Sequence, residues 1–268
     1  MKKILFPALF SALVLGFGGC RDEVQDSETT SATDNNLCES EFARIMPLVN
    51  KISVDEPGVN RIPAGSSVLS CPTVTVANPG QFPVTMYIDY GSGCTDAVDG
   101  KTRAGRFICV FDAPWDSIGS SITITLDSFY VNNIHFEGNT VITHSGQRQY
   151  TTTVTNGKCT KTGANPWEIR WNCNRTVEWT EGYLTSQQED DVVQVTGNNS
   201  GTDRNGKTFT ATIVSPVIRN MGCSWIQQGR IELTPQGKPT RTIDFGSGTC
   251  DNQATVTING ISYNVTLQ

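Results

Sequence analysis

Nine cysteines, two histidines and a row of tryptophans set among carboxylates are the residues of this chain whose chemistry could matter. Trp167, Ile169, Trp171, Cys173, Val177 and Trp179 all fall on odd positions, which places them on one face of an extended strand. Such a face is first of all a core face, because tryptophans bury large apolar areas. Its functional alternative is a glycan-stacking platform of Trp167, Trp171 and Trp179. Glu168, Glu178 and Glu181 beside them are the candidates for glycoside hydrolysis, a reaction that needs two carboxyl groups about 5–10 Å apart. His135 and His144 could serve as acid or base. No Gly-x-Ser-x-Gly elbow and no His-Glu-x-x-His helix accompanies them, so neither a hydrolase triad nor a metalloprotease is indicated. The two Gly-Ser-Gly stretches, Gly91-Ser92-Gly93 and Gly246-Ser247-Gly248, lack the helix that a phosphate loop requires and read as turns or bulges. Asp96, Asp99, Asn198 and Asp203 do not follow a twelve-residue calcium pattern. No catalytic residue, cofactor or metal is therefore assigned, and the chain is not expected to be an enzyme.

The cysteines carry more information. There is no Cys-x-x-Cys and too few histidines for a zinc site. Cys20 belongs to the N-terminus, which leaves eight cysteines for disulfides, with 105 connectivities in principle. A repeated stretch prunes them. Cys71 to Cys94 and Cys223 to Cys250 each read as cysteine, strand, Pro/Gly turn, strand, Gly-Ser-Gly, cysteine. Each is a hairpin whose open end its own disulfide would staple, so 71–94 and 223–250 are paired. In the second hairpin the register of Ile231 and Leu233 against Ile243 and Phe245 puts the cysteines one residue out of step. A bulge near Gly246-Ser247-Gly248 or Gly229 would absorb this. Cys159 and Cys173 flank a Gly-Ala-Asn-Pro turn and are expected to close a local hairpin; Cys38 and Cys109 pair by elimination.

Met1-Lys2-Lys3, an apolar run from Ile4 to Gly16 and then Phe17-Gly18-Gly19-Cys20 have the form of an export signal, positions 1–19, too short to span a membrane. The cysteine after Gly-Gly resembles the lipobox of bacterial lipoproteins, which implies a lipid anchor at Cys20. Residues 20–36 contain five acids, one base and a single aliphatic side chain larger than Ala, so they are expected to be a flexible acidic tether. The acidic run resembles the surface-export signal of Bacteroidetes-type lipoproteins, and Arg21 stands where inner-membrane retention would call for Asp.

The remaining stretch, 37–268, reads as a disulfide-stapled β domain. The chain has 268 residues, of which 37% are hydrophobic and 17% charged, with a net charge of -6. That charge argues against nucleic acid, whose phosphates call for a basic surface. β-Branched residues and turn residues dominate, and short alternating runs recur along the chain. Phe129–Phe136 turns at Asn132-Asn133, and Thr255–Leu267 turns at Asn259-Gly260. One short helix is expected within Leu37–Ile52, capped by Ser40 and ended or kinked at Pro47. The fold class is all-β, either a sandwich or a long curved sheet of antiparallel hairpins.

Ile88-Asp89-Tyr90-Gly91-Ser92-Gly93-Cys94, Asp99-Gly100-Lys101 and Gly248-Thr249-Cys250-Asp251 together resemble a family of uncharacterised lipoproteins from Bacteroidetes-type bacteria. The resemblance runs from about residue 70 to the end and implies a localisation and a fold, with no activity attached. The expectation is a protein anchored in the outer membrane through Cys20, with the cell surface as one location, that binds a glycan or surface protein or supports the envelope. A periplasm-facing carrier of hydrophobic ligands is the alternative, and a carboxylate-dependent glycan hydrolase the third.

Overall fold

The computed structural model describes residues 25–60 and 71–267, apart from 98, 186 and 188. The leader, Cys20 and the first residues of the expected tether lie outside the described residues. One helix, α1 (Thr30–Asp55), precedes the strands. These are β1 (Thr73–Ala77), β2 (Val84–Asp89), β3 (Cys94–Thr95), β4 (Thr102–Phe111), β5 (Ser121–Val131), β6 (Ile134–Gly146) and β7 (Gln149–Lys161). They continue with β8 (Trp167–Glu181), β9 (Val192–Thr202), β10 (Thr208–Asn220), β11 (Gln228–Pro235), β12 (Arg241–Ser247), β13 (Gln253–Ile258) and β14 (Ile261–Thr266).

All the strands belong to one antiparallel sheet in which each pairs with its sequence neighbours, save that β4 follows β2 and β3 pairs only with β4. The curved-sheet form of the expected fold is the one realised. Turn chemistry sets its registers. Asn132 and Asn133 take φ of 47° and 67°, so Phe129 stands opposite Phe136 and Tyr130 opposite His135. Asn259-Gly260 likewise puts Ile258 opposite Ile261 and Val256 opposite Tyr263. Period-2 alternation then sends one face of every long strand inward: in β8, Ile169, Trp171, Cys173, Arg175, Val177 and Trp179 are buried and their neighbours point out.

Bulges bend this sheet. Register shifts interrupt β4–β5 at Ala104/Arg106, β5–β6 at Thr125/Phe129, β6–β7 at Glu137/Asn139 and β7–β8 at Val154/Gly157, forming a line across four ladders. At Gly105, with φ of 81°, a Cβ would stand 1.9 Å from the Ser128 carbonyl oxygen, so only glycine lets β4 approach β5 there. The expected slip in the second stapled hairpin falls at Gly229, between Gln228 and Arg230. Bulged strands coil, and the sheet curls around α1.

The helix departs from expectation in three ways. It spans 26 residues, starting seven residues before the expected Leu37. Ser40 lies inside it, and Pro47 interrupts its hydrogen bonding without ending it. The last seven residues of the expected tether, 30–36, are its first two turns, and Ser31, Ala32, Asp34 and Asn35 are fully buried. Cys38, Phe42, Ile45, Val49 and Ile52 recur at four- and three-residue steps as one apolar stripe, but the polar side of the helix is buried too. Asp34, Asn35, Glu39, Glu41, Arg44, Asn50 and Lys51 all find partners on the sheet or its loops. A polar helix can be buried all round because the surrounding strands supply its hydrogen bonds.

Of the disulfides, Cys71–Cys94 and Cys223–Cys250 are present, each closing the hairpin it was assigned to. The pairing of Cys159 with Cys173 is corrected: both are free and buried. Cys159 stands opposite Ile169 in the β7–β8 ladder, and Cys173 opposite Val154, five residues away along β7, so the two sulfurs do not meet. Cys38 and Cys109 are also free, and the sulfur that Cys38 faces is that of Cys159.

Candidate functional site

Two places concentrate polar chemistry: the interior between α1 and the sheet, and a groove on the outer face. In the interior, Arg175 of β8 donates to both carboxylate oxygens of Glu39, and Asn199 of β9 donates to the same carboxylate at 3.2 Å. Lys101 donates to Glu41, while Arg103 forms a two-pronged contact with Asp99, at 3.0 and 2.7 Å, in the loop between β3 and β4. Arg44 reaches the Cys223 carbonyl at 2.5 Å and lies 3.6 Å from Asp99. Burial alone would raise the Asp99 carboxyl, but the hydrogen bonds and charge of Arg103, with Arg44 behind it, hold it at about 2. Burial pushes Asp191, beside Lys51, up to about 6. Arg219 of β10 is 1% exposed, and its Nε, Nη1 and Nη2 have no hydrogen-bond partner. These groups are paired or sealed off. Two cavities between helix and sheet hold only about 20 and 10 Å³, room for about one water in the larger.

The outer groove is open. It has a volume of about 770 Å³ and lies across β8, β9, β10 and β11, where the 235–239 turn folds beside it. Its floor is a cross-strand row, Asn172 opposite Ser200, Ser200 opposite Thr210 and Thr210 opposite Thr234, all exposed. At strand spacing the row is roughly 14 Å long. Arg170, Thr208, Gln236, Lys238 and Pro239 complete the walls. A second groove of about 500 Å³ shares Asn172, Ser200 and Thr210 and extends the surface over Asn174, Asn198 and Thr212. The combined lining sets short hydroxyls and amides among apolar groups such as Phe209 and Pro235, with Arg170 and Lys238, paired to Glu168 and Asp26, at one end. Its hydroxyls and amides can exchange neutral hydrogen bonds with a polar polymer.

The tryptophans do not form the expected stacking platform. Trp171 and Trp179 are 1% and 2% exposed and face inward. Trp171 stacks on Phe42 of the helix and donates to Asn35 at 3.1 Å. Trp179 packs edge-on against Tyr150 and Tyr183. Trp167 is half-buried, with the Arg204 guanidinium 4.7 Å above its ring. The interior is thus the fate of the row, by the alternation that made it visible.

Of the three candidate carboxylates, Glu168 is isolated from the other two, and Glu181 stands three residues beyond Glu178 at the bulged end of β8. Glu168 and Glu178 lie ten residues apart on one strand, roughly 33 Å, far beyond glycosidase spacing. Glu168 is engaged by Arg170 at 2.9 Å. His144 is buried, bonds the Trp115 carbonyl through Nδ1 at 3.1 Å and stacks on Tyr150. His135 stacks on Tyr130, its cross-strand partner, 4.6 Å away. Asp203 orders its own turn by accepting from the Asn205 and Lys207 amides. Among the described residues no cluster of three or more His, Cys, Asp or Glu could hold a metal ion, and no helix is long and apolar enough to cross a membrane.

Sequence reasoning missed both the buried network and the groove. Apart from Arg103 and Asp99, four residues apart, the network's acids and bases come from distant segments, 60 residues for Glu41 with Lys101 and 136 for Glu39 with Arg175, and no local spacing announces those pairs. The groove row was present in the sequence as polar residues alternating with the buried set, but its side-by-side order depends on four ladders at once. The chain matches no family model, no curated protein and no solved structure.

Proposed function

We propose that this protein is a lipid-anchored envelope protein of binding type, which holds a neutral polar polymer, a glycan in the first instance, along the groove of its outer face. The observation that carries the reading is the exposed row Asn172–Ser200–Thr210–Thr234, a run of hydrogen-bonding side chains across four strands. Anchoring rests on the export signal and on Cys20, with the outer membrane as the destination. Binding without turnover is favoured over hydrolysis because Glu168 and Glu178 are so far apart and each histidine is occupied in packing. A carrier would use the concave face of the sheet for an acyl chain, and α1 occupies that face.

The test is binding of the purified protein to an array of envelope and surface glycans, followed by titration of the best ligand. Ser200→Glu and Thr210→Glu place charge and bulk on the groove floor and leave the interior untouched. Each is expected to weaken binding at least about tenfold with an unchanged melting temperature. Equal binding by wild type and both variants, or no glycan bound at all, would refute the reading.

A further inference from the structure

We propose that Cys38 and Cys159 form a third disulfide, which ties the buried helix to the middle of the sheet. Their sulfurs lie 3.2 Å apart, although 121 residues separate them in the chain. Both residues are fully buried. The inference is independent of the binding reading, because it concerns the interior.

Packing holds the two sulfurs face to face. Phe42, one turn after Cys38, stacks on Trp171 at 5.4 Å and meets Phe136 edge-on at 5.9 Å. Phe136 is the cross-strand partner of Cys159, and Gly157, two residues before Cys159, is that of Trp171. The aromatic contacts therefore fix the helix turn bearing Cys38 directly over the β7 position that carries Cys159. Bringing the sulfurs to bonding distance requires a closure of roughly 1 Å, within the reach of small side-chain rotations. The chain already carries Cys71–Cys94 and Cys223–Cys250, so it passes through conditions that oxidise thiols.

Among the described residues, the other two buried thiols face no cysteine across their ladders. Cys109 faces Met86 and Ile124 across its ladders, and Cys173 faces Val154 and Asn199. They remain reduced, which makes the pairing selective. The step is an ordinary exchange: the Cys38 and Cys159 thiols lose two protons and two electrons, an S–S bond forms between them, and a disulfide oxidant is reduced to two thiols. That oxidant is of the same class that makes the other two bonds. Because both sulfurs are sealed in the finished fold, the bond forms while the sheet is still closing over α1. Once made, it prevents the helix from leaving the concave face without reduction.

Peptide mapping of the full, unreduced protein, denatured and alkylated before digestion, tests this. The Cys38 and Cys159 peptides are expected as one linked species that separates on reduction, with Cys109 and Cys173 carrying the alkyl label. Alkyl label on Cys38 and Cys159 in the unreduced sample would overturn the proposal. Cys38→Ser and Cys159→Ser supply a second reading. Each is expected to free the partner for labelling, and the double variant should melt no lower than the worse single variant. A double variant whose loss is the sum of the two would mean that no bond joins them.

Discussion

Glu39 and Arg175 lie 136 residues apart in the chain and meet in the interior, with Arg175 Nε 3.0 Å from Glu39 Oε1 and side chains 1% and 3% exposed. The pair joins α1 to the centre of the sheet, and Asn199 donates to the same carboxylate. Removing one partner strands the other's charge in a dry site. Glu39→Ala is therefore expected to cost about 3–5 kcal/mol in denaturant unfolding. Replacing both, Glu39→Met with Arg175→Met, should cost much less. A double variant as unstable as the single one would show that shape, not charge, dominates there.

Arg219 is the opposite case, a buried guanidinium with three nitrogens unpartnered. Burial, with the charge of Arg44 beside it, pulls it down to about 9. An isolated buried charge costs folding energy, so Arg219→Met is expected to raise stability by about 1–4 kcal/mol. A fall in melting temperature would show that the charge is serving the fold.

Acid and neutral stability are set by different carboxylates. Arg103 and Arg44 hold Asp99 at about 2, below its ordinary 3.8, so its contribution is complete above about pH 4 and disappears as pH falls toward 2. Asp191 is raised to about 6. Between about pH 4 and 6 its folded form keeps a proton that the unfolded chain has released, so stability declines as pH rises through that window. Unfolding free energies measured from pH 2 to 7 should show both limbs. Asp99→Asn should flatten the acid limb and Asp191→Asn the one between 4 and 6; a variant that leaves its limb in place would refute its assignment.

Protease susceptibility should follow the revised boundary of the folded domain. Asp26 and Glu28 are held by Arg241, Asp34 by Arg204, and α1 begins at Thr30. Only residues 21–24 separate Cys20 from the described fold, so a lipid at Cys20 would keep Gln25 within roughly 18 Å of it along an extended chain. Limited proteolysis of the native protein is expected to spare residues 30–55. In whole-cell shaving, a released fragment whose N-terminus lies at or before residue 25 fits this boundary and places the domain outside the cell. Cleavage within 30–36 would restore the tether to its full expected length.

Local patterns determined a good deal here. The hairpins at Asn132-Asn133 and Asn259-Gly260, the need for a bulge in the second stapled hairpin and the two stapled hairpins themselves follow from turn residues and alternation, which act over a few positions; that the bulge falls at Gly229 was settled by the ladder. The inward row from Ile169 to Trp179 was legible for the same reason. Its role was not, since a face looks identical whether a helix or a sugar covers it. Two turns of α1 were hidden because Thr, Ser, Asp and Asn read as unfoldable when their partners are unseen, and those partners, Arg204 and Trp171, are 170 and 136 residues away. The partner of Cys38 was hidden likewise: elimination among cysteines has no metric, whereas the curled sheet brings Cys159 to it. Strands and turns were therefore settled by chain neighbours; only the closing of the sheet around a polar helix decided which charges, sulfurs and hydroxyls came to lie together.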